Sequence, residues 1–275
     1  IDLNALNIEL MQAVGHEWSD LSAISQRDVN TLKASGYLER AAELLQSKTN
    51  GVNVFGFKDP RVGKLLPFWQ AVFETCGYDG SYVLMFRHPM SVARSLAKRD
   101  GFDMCQGYLL WLGHVIPGLT ETTARKRVVI DYDLLMTSPV TELDRLAERL
   151  GLSVDADELA LYLEKFLDGG LRHTVFTMED LQQAEDCPQL VREIYPVMLE
   201  AAADKLDIDT PALTQTVQTW QAELERIDIL FNEIDMLRSH LSTANQHVAE
   251  GALKLNELEE THQKVRTELD TAQQQ

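Results

Sequence analysis

The chain has 275 residues, of which 45% are hydrophobic and 7% aromatic, and its formal net charge is -18 at pH 7. A chain of this length and apolar content can bury one sizeable core and still carry an appended segment. So large a negative charge repels nucleic acid and anionic membranes, which argues against non-specific binding to either.

Three cysteines, Cys76, Cys105 and Cys187, form neither a CxxC pair nor a metal-ligand spacing. This pattern favours a reducing, cytoplasmic location without a disulfide framework, and no metal is expected. No run of residues approaches the ~20 apolar positions of a membrane helix, so no membrane span is expected. Because the chain starts at Ile1 and ends within a helical pattern, we expect it to be a piece of a longer protein.

The first half of the chain changes from a helical to a strand pattern. Apolar spacing predicts one helix that ends at Gly15 and a second over about 30–46. The β-branched and aromatic run over 52–57 predicts a strand, and a helix over 64–76 follows. The apolar run over 82–86 is typical of a parallel strand that is covered on both faces.

Helices are predicted over 89–98 and 104–123, a third strand over 127–132, and a helix over 141–150. The alternation of strands and helices predicts an α/β domain with a mainly parallel sheet, over about 1–210. Ligands of such sheets bind at the carboxyl ends of the strands. The residues after 57, 86 and 131 are therefore the candidates for a site.

The C-terminal segment, about 215–275, has a heptad repeat that predicts a coiled coil and hence a homo-oligomer or a tethered domain. A long helix folded back on the domain is the alternative. The positions that alternate by three and four are Ile227, Leu230, Ile234, Leu237, Leu241, Ala244, Val248, Gly251, Leu255, Leu258, His262, Val265 and Leu269.

Three cations follow the predicted strands in a chain that is otherwise acidic. They are Lys58, Arg61 and Arg87. A local cationic cleft in an anionic protein indicates a specific anionic ligand. Arg61 has a second interpretation, in which it only braces the turn at Asp59.

The segment after the second strand has the features of a phosphate clamp. Pro89 suits the first turn of a helix, whose free amides and dipole favour an anion. Ser91, Ser95 and Arg99 recur every four residues and therefore share one helix face. Arg87, at the strand end, can donate two parallel hydrogen bonds to a phosphate.

The segment 83–95 (VLMFRHPMSVARS) resembles the 3′-phosphate motif of sulfotransferases that use the donor PAPS. The resemblance implies that Arg87 and Ser95 hold the 3′-phosphate, and that Arg99 matches a further basic position of protein-tyrosine sulfotransferases. Lys58-Asp59-Pro60 resembles a segment of those enzymes whose lysine faces the sulfuryl group. Asp131-Tyr132-Asp133-Leu134 resembles a segment that would place Tyr132 near the nucleotide.

The resemblance covers roughly 1–175 and implies a P-loop-like three-layer α/β sandwich, as in bacterial sulfotransferases. Such an enzyme moves a sulfuryl group from PAPS to a hydroxyl, here expected on a carbohydrate or glycan, and releases PAP. Lys58 is then the catalytic cation, and His16, Glu17 and His88 are the candidates for the base. Arg172 and His173 lie in a glycine-rich loop that could close over the nucleotide.

The Ser-Gly-Thr donor loop of the family does not occur in this sequence, and we expect it upstream of Ile1. Without it the activity of this chain is in doubt. A non-catalytic coiled-coil scaffold with a degenerate sulfotransferase-like domain is therefore the alternative function. A nucleotide-dependent phosphotransferase of related fold is a third hypothesis, but the Gly-Lys-Ser/Thr loop that it requires does not occur here.

Overall fold

The structure is a computed structural model that describes residues 2–166 and 176–273. The described residues are mostly helical, with a small parallel sheet, and the chain divides into two compact units, Ile1–Asp228 and Ile229–Gln275. The helices are α1 (Leu3–Ala13), α2 (Gln26–Ala34), α3 (Tyr37–Thr49), α4 (Leu66–Cys76), α5 (Pro89–Asp100), α6 (Met104–Glu121), α7 (Tyr132–Thr137), α8 (Pro139–Leu150), α9 (Ala156–Leu161), α10 (Met178–Gln183), α11 (Gln189–Ala202) and α12 (Pro211–Gln273). The strands are β1 (Tyr82–Phe86) and β2 (Arg127–Asp131).

The two strands pair in parallel, and helices α5 and α6 form the connection between them. The register places Tyr82 opposite Arg127 and Phe86 opposite Asp131, so both strands end at the same edge of the sheet. This edge is where the chain presents the residues that follow each strand. The prediction of a parallel sheet is thus confirmed on the scale of two strands.

The larger core lies among the first four helices, where their apolar faces meet. Its buried members are Leu6, Leu10, Met11, Val29, Leu32, Ala41, Ala42, Leu45, Leu65, Phe68, Trp69 and Val72. A polar contact is sealed inside it, since the Trp69 indole N–H donates to the Asn7 amide oxygen at 2.8 Å. A smaller cluster beside the sheet joins β2 to α7 and α8 through Val128, Ile130, Leu135 and Leu150.

Helices α5 and α6 cross with almost no space between their backbones. A Cβ added at Gly107 of α6 would lie 2.6 Å from the Cα of Ala93 and 2.7 Å from its Cβ. Only glycine permits this approach, because any side chain would meet backbone atoms of α5. Gly107 therefore fixes the position of the helix that carries the candidate phosphate ligands.

Three local predictions are wrong. Residues 52–57 form no strand, and Val52 and Val54 are exposed. An extended segment is stable only when neighbouring strands accept its backbone hydrogen bonds, and none of the described residues pairs with this one. The helix predicted over 30–46 is instead two helices, because Gly36 adopts a left-handed φ of 82° between α2 and α3. Strand β1 is covered on one side only, since Val83 and Met85 remain exposed.

Helix α12 confirms the prediction of a long C-terminal helix. It runs without a break over Pro211–Gln273, and many of its heptad positions are exposed in the single chain. Of the helices that the structure describes, none combines the length and the apolar character needed to cross a membrane.

Candidate functional site

The ends of the two strands bring together Arg87 and Tyr132, two of the residues predicted to bind the nucleotide. The guanidinium carbon of Arg87 lies 4.8 Å from the centre of the Tyr132 ring. A cation held against a ring face is attracted by the ring quadrupole and keeps its N–H groups free at its edges. The stacked Arg87 is therefore oriented but not neutralised.

The backbone at Arg87 is fixed by buried aromatic neighbours. The Trp111 indole N–H donates to the Arg87 carbonyl at 3.1 Å. The next residue, His88, is buried and packs against the Tyr195 ring at 4.7 Å between centres. This packing fixes the turn between β1 and α5, so the Arg87 side chain leaves from a rigid position.

His88 serves as the N-cap of α5. Its Nδ1 accepts a hydrogen bond from the Met90 amide at 3.2 Å, and its Nε2 lies 3.2 Å from the Thr177 carbonyl. A ring that accepts at one nitrogen and donates at the other is neutral. Burial lowers the pKa of His88, which favours the same neutral form. Because both ring nitrogens are engaged by backbone groups, His88 caps α5 and has no free nitrogen with which to act as a catalytic base.

Two hydrogen-bond donors at this turn have no partner among the described residues. They are the Arg87 Nε and the Ser91 Oγ, both sealed from solvent. Ser91 is only 2% exposed and lies in the first turn of α5. Buried donors without partners are rare, because each costs about 1–3 kcal/mol when left unsatisfied. Together with the first-turn amides, these groups form a cluster of donors suited to an anion.

Ser95 and Arg99, the other predicted ligands, lie further along α5. Ser95 is exposed, and it takes part in no described contact. Arg99 lies over the Trp18 ring at 5.3 Å and pairs with the neighbouring Asp100 at 2.8 Å. Arg99 is therefore engaged by groups other than those around Arg87.

Arg99 contributes to a cavity of about 330 Å³ that it shares with Trp18, Arg61, Lys64 and His114. Lys64 is buried, and its ammonium donates to the backbone carbonyls of Asp20 and Ser22. Burial and the charge of Lys64 lower the pKa of His114 to about 4, so that this imidazole is neutral near pH 7. The lining of the cavity therefore holds three cations, Arg61, Lys64 and Arg99. The hydrogen bonds of Lys64 go to backbone carbonyls, which are uncharged.

The loop of the predicted catalytic lysine is held by its neighbour. Asp59 is buried, and it accepts hydrogen bonds from the Arg61 amide and from the Asn4 side chain, each at 2.9 Å. Arg61 also pairs with the Asp59 carboxylate at 3.2 Å, so it both braces this turn and lines the cavity. Lys58 is exposed and takes part in no described contact, so its amine is free to approach a ligand.

The remaining candidates for the base lie before α2. His16 lies between Asp20 at 3.6 Å and Asp28 at 3.9 Å, and Glu17 is exposed. Burial alone would raise the pKa of Asp20, but the nearby His16 imidazole and a hydrogen bond from the Glu17 amide lower it overall. Arg172 and His173 lie outside the described residues.

Comparison with known proteins adds no assignment, because no family model, curated protein or solved structure matches this chain. Within 2–166 and 176–273, no three His, Cys, Asp or Glu side chains gather as ligands of a metal ion. The functional interpretation therefore rests on the residues themselves. The sequence predicted Ser95, and not Ser91, as the hydroxyl ligand. The only indication of Ser91 in the sequence was that it lies on the same helix face as Ser95.

Proposed function

We propose that this chain is a sulfotransferase domain of P-loop-like α/β type that binds PAPS and transfers its sulfuryl group to a hydroxyl, on a carbohydrate or glycan. The observation that carries the proposal is the half-buried Arg87 at the end of β1. It is stacked on Tyr132 and has no carboxylate partner among the described residues.

An unpaired charge is costly to remove from solvent. A guanidinium that loses solvent without gaining a counter-ion destabilises the fold unless a bound anion compensates its charge. Phosphate matches the fork of N–H donors that arginine presents, and it also accepts from a hydroxyl such as Ser91 and from first-turn amides. The 3′-phosphate of PAPS or PAP is the group that we assign to this position.

In the proposed reaction, the sulfur–oxygen bond to the donor phosphate breaks as a new bond forms to the acceptor oxygen. Charge develops on the sulfuryl oxygens, and a preorganised cation stabilises it. We assign this task to Lys58, which is exposed and uncommitted. Arg87 and Ser91 bind and orient the nucleotide, so their contribution is positioning. A base, for which His16 and Glu17 remain candidates, accepts the acceptor's hydroxyl proton.

The cysteines support a cytoplasmic location for this enzyme. None of the three forms a disulfide among the described residues, and Cys187 is buried whereas Cys105 is exposed. A protein exposed to an oxidising compartment seldom keeps several unpaired thiols.

A second function is favoured by helix α12. Its heptad positions leave a row of exposed apolar side chains in the single chain, which is typical of a surface that assembles with a partner. A scaffold protein with a degenerate nucleotide site is the corresponding proposal, and a failure to bind PAP would favour it.

Calorimetric titration of PAP into the chain tests the site. Arg87→Ala removes the central donor and is expected to weaken binding on the order of tenfold or more, because charged hydrogen bonds contribute about 1.5–3 kcal/mol. Ser91→Ala should weaken it less. Arg149→Ala is the matched control: it changes the net charge equally, but Arg149 is half exposed on α8 and pairs with Asp204. Equal affinities for Arg87→Ala and Arg149→Ala would refute the assignment of Arg87.

A further inference from the structure

The second unit of the chain presents an apolar seam on α12 that is interrupted at Gly251 and His262. Its members occupy positions a and d of the heptad, with a at 234, 241, 248 and 255 and d at 230, 237, 258 and 265. Their exposed fractions run from 37% to 71%, and they are Leu230, Ile234, Leu237, Leu241, Val248, Leu255, Leu258 and Val265. Apolar side chains that recur every 3.5 residues on one face are buried only when another helix covers them.

We propose that the seam binds a second copy of this chain in a parallel, in-register, two-stranded coiled coil. The first reason is the identity of the seam residues. In the first heptad of the seam, Ile234 at position a lies between Leu230 and Leu237 at position d, whereas leucine occupies a at 241 and 255. A β-branched residue at a with leucine at d favours two parallel strands, because each shape fits the packing angle of its layer.

The second reason is the charge on the flanks of the seam. Glu233 and Lys254 occupy position g, and Arg238 and Glu259 occupy the following position e. In a parallel, in-register pair, each g residue faces the e residue five positions later on the other chain. Glu233 then meets Arg238 of the second copy, and Lys254 meets its Glu259. Symmetry repeats both contacts, and each of them joins opposite charges.

Glu233, Lys254 and Glu259 are exposed and Arg238 is partly exposed, and none of the four forms an ion pair within the described residues. A surface whose charges complement a copy of itself is the requirement for an isologous dimer. An antiparallel pair would place g opposite g and e opposite e, which separates Glu233 from Arg238 and Lys254 from Glu259. The inference is independent of PAPS binding.

Disulfide trapping tests strand direction and register together. In the full chain with Cys105→Ser, a Leu237→Cys variant places two thiols at the same layer only if the helices are parallel and in register. Oxidised glutathione should then convert this variant to a covalent dimer. Leu253→Cys is the matched control, since Leu253 is also exposed, at 64%, but lies at position f, away from the seam. Failure of Leu237→Cys to cross-link, or equal cross-linking of both variants, would overturn the proposal.

Charge exchange gives a second, independent test by sedimentation equilibrium. Glu233→Lys places like charges at both symmetric contacts and should weaken the dimer on the order of fivefold. Adding Arg238→Glu to the same chain reverses both partners and should restore the wild-type affinity. A wild-type chain that stays monomeric at micromolar concentration, or a double variant as weak as the single one, would overturn the proposal. PAP binding can fail without affecting either result.

Discussion

Gly107 gives the most direct test of how the fold positions the site. A Cβ at this position would lie 2.6 Å from the Cα of Ala93, a backbone atom that no rotamer change can move away. Overpacking of this kind costs typically about 1–3 kcal/mol, and a contact with backbone belongs at the upper end. Alanine recovers about 1 kcal/mol of helix propensity. The expected net loss of stability for Gly107→Ala is therefore about 2 kcal/mol.

Thermal unfolding followed by circular dichroism measures this loss, which corresponds to a midpoint lower by roughly 4–8 °C for a domain of this size. Gly113→Ala is the control, because it lies in the same helix and its Cβ would meet nothing within 4 Å. That variant should gain about 1 kcal/mol. If Gly107→Ala were as stable as Gly113→Ala, the close crossing of α5 and α6 would be refuted.

Two further predictions concern the interior. Because the pKa of His114 is lowered from its ordinary value of 6.5 to about 4, the unfolded chain binds more protons between these values, and stability falls as pH falls through this window. Between pH 7.5 and pH 4.5, the free energy of unfolding measured in urea should fall less for His114→Asn than for wild type. Equal decreases for the two proteins would contradict a lowered pKa of His114. Asn7→Ala leaves the buried Trp69 indole N–H unpaired and should cost about 1–3 kcal/mol in urea unfolding at pH 7.5, whereas an unchanged midpoint would contradict the hydrogen bond.

Much of the helical framework could be predicted from local signals. The helices predicted over 89–98 and 141–150 agree with α5 and α8, which end at the left-handed glycines Gly101 and Gly151. Local pattern did not separate α2 from α3, because the break depends on the left-handed φ of Gly36. Propensity also failed over 52–57, where apolar, β-branched residues adopt no strand in the absence of a paired neighbour.

The candidate site was predictable in its class but not in its details. The end of a parallel strand, followed by arginine and a helix start, indicated Arg87, and the pairing of β1 with β2 brings Tyr132 to it. The choice between Ser91 and Ser95 depends on which turn of α5 is covered, and helical periodicity carries no such information. The sequence did not indicate that Lys64 is buried at the cavity, because this position depends on carbonyls more than forty residues away in the chain.

The central claim is that Arg87 belongs to a site for a 3′-phosphate. The most direct measurement compares the affinities of PAP and ADP for the same chain by calorimetry, since each carries two phosphates and they differ in where the second is attached. We predict that PAP binds more tightly and that Arg87→Ala removes this preference. Equal affinities of the wild-type chain for PAP and ADP would contradict the claim and favour the scaffold function.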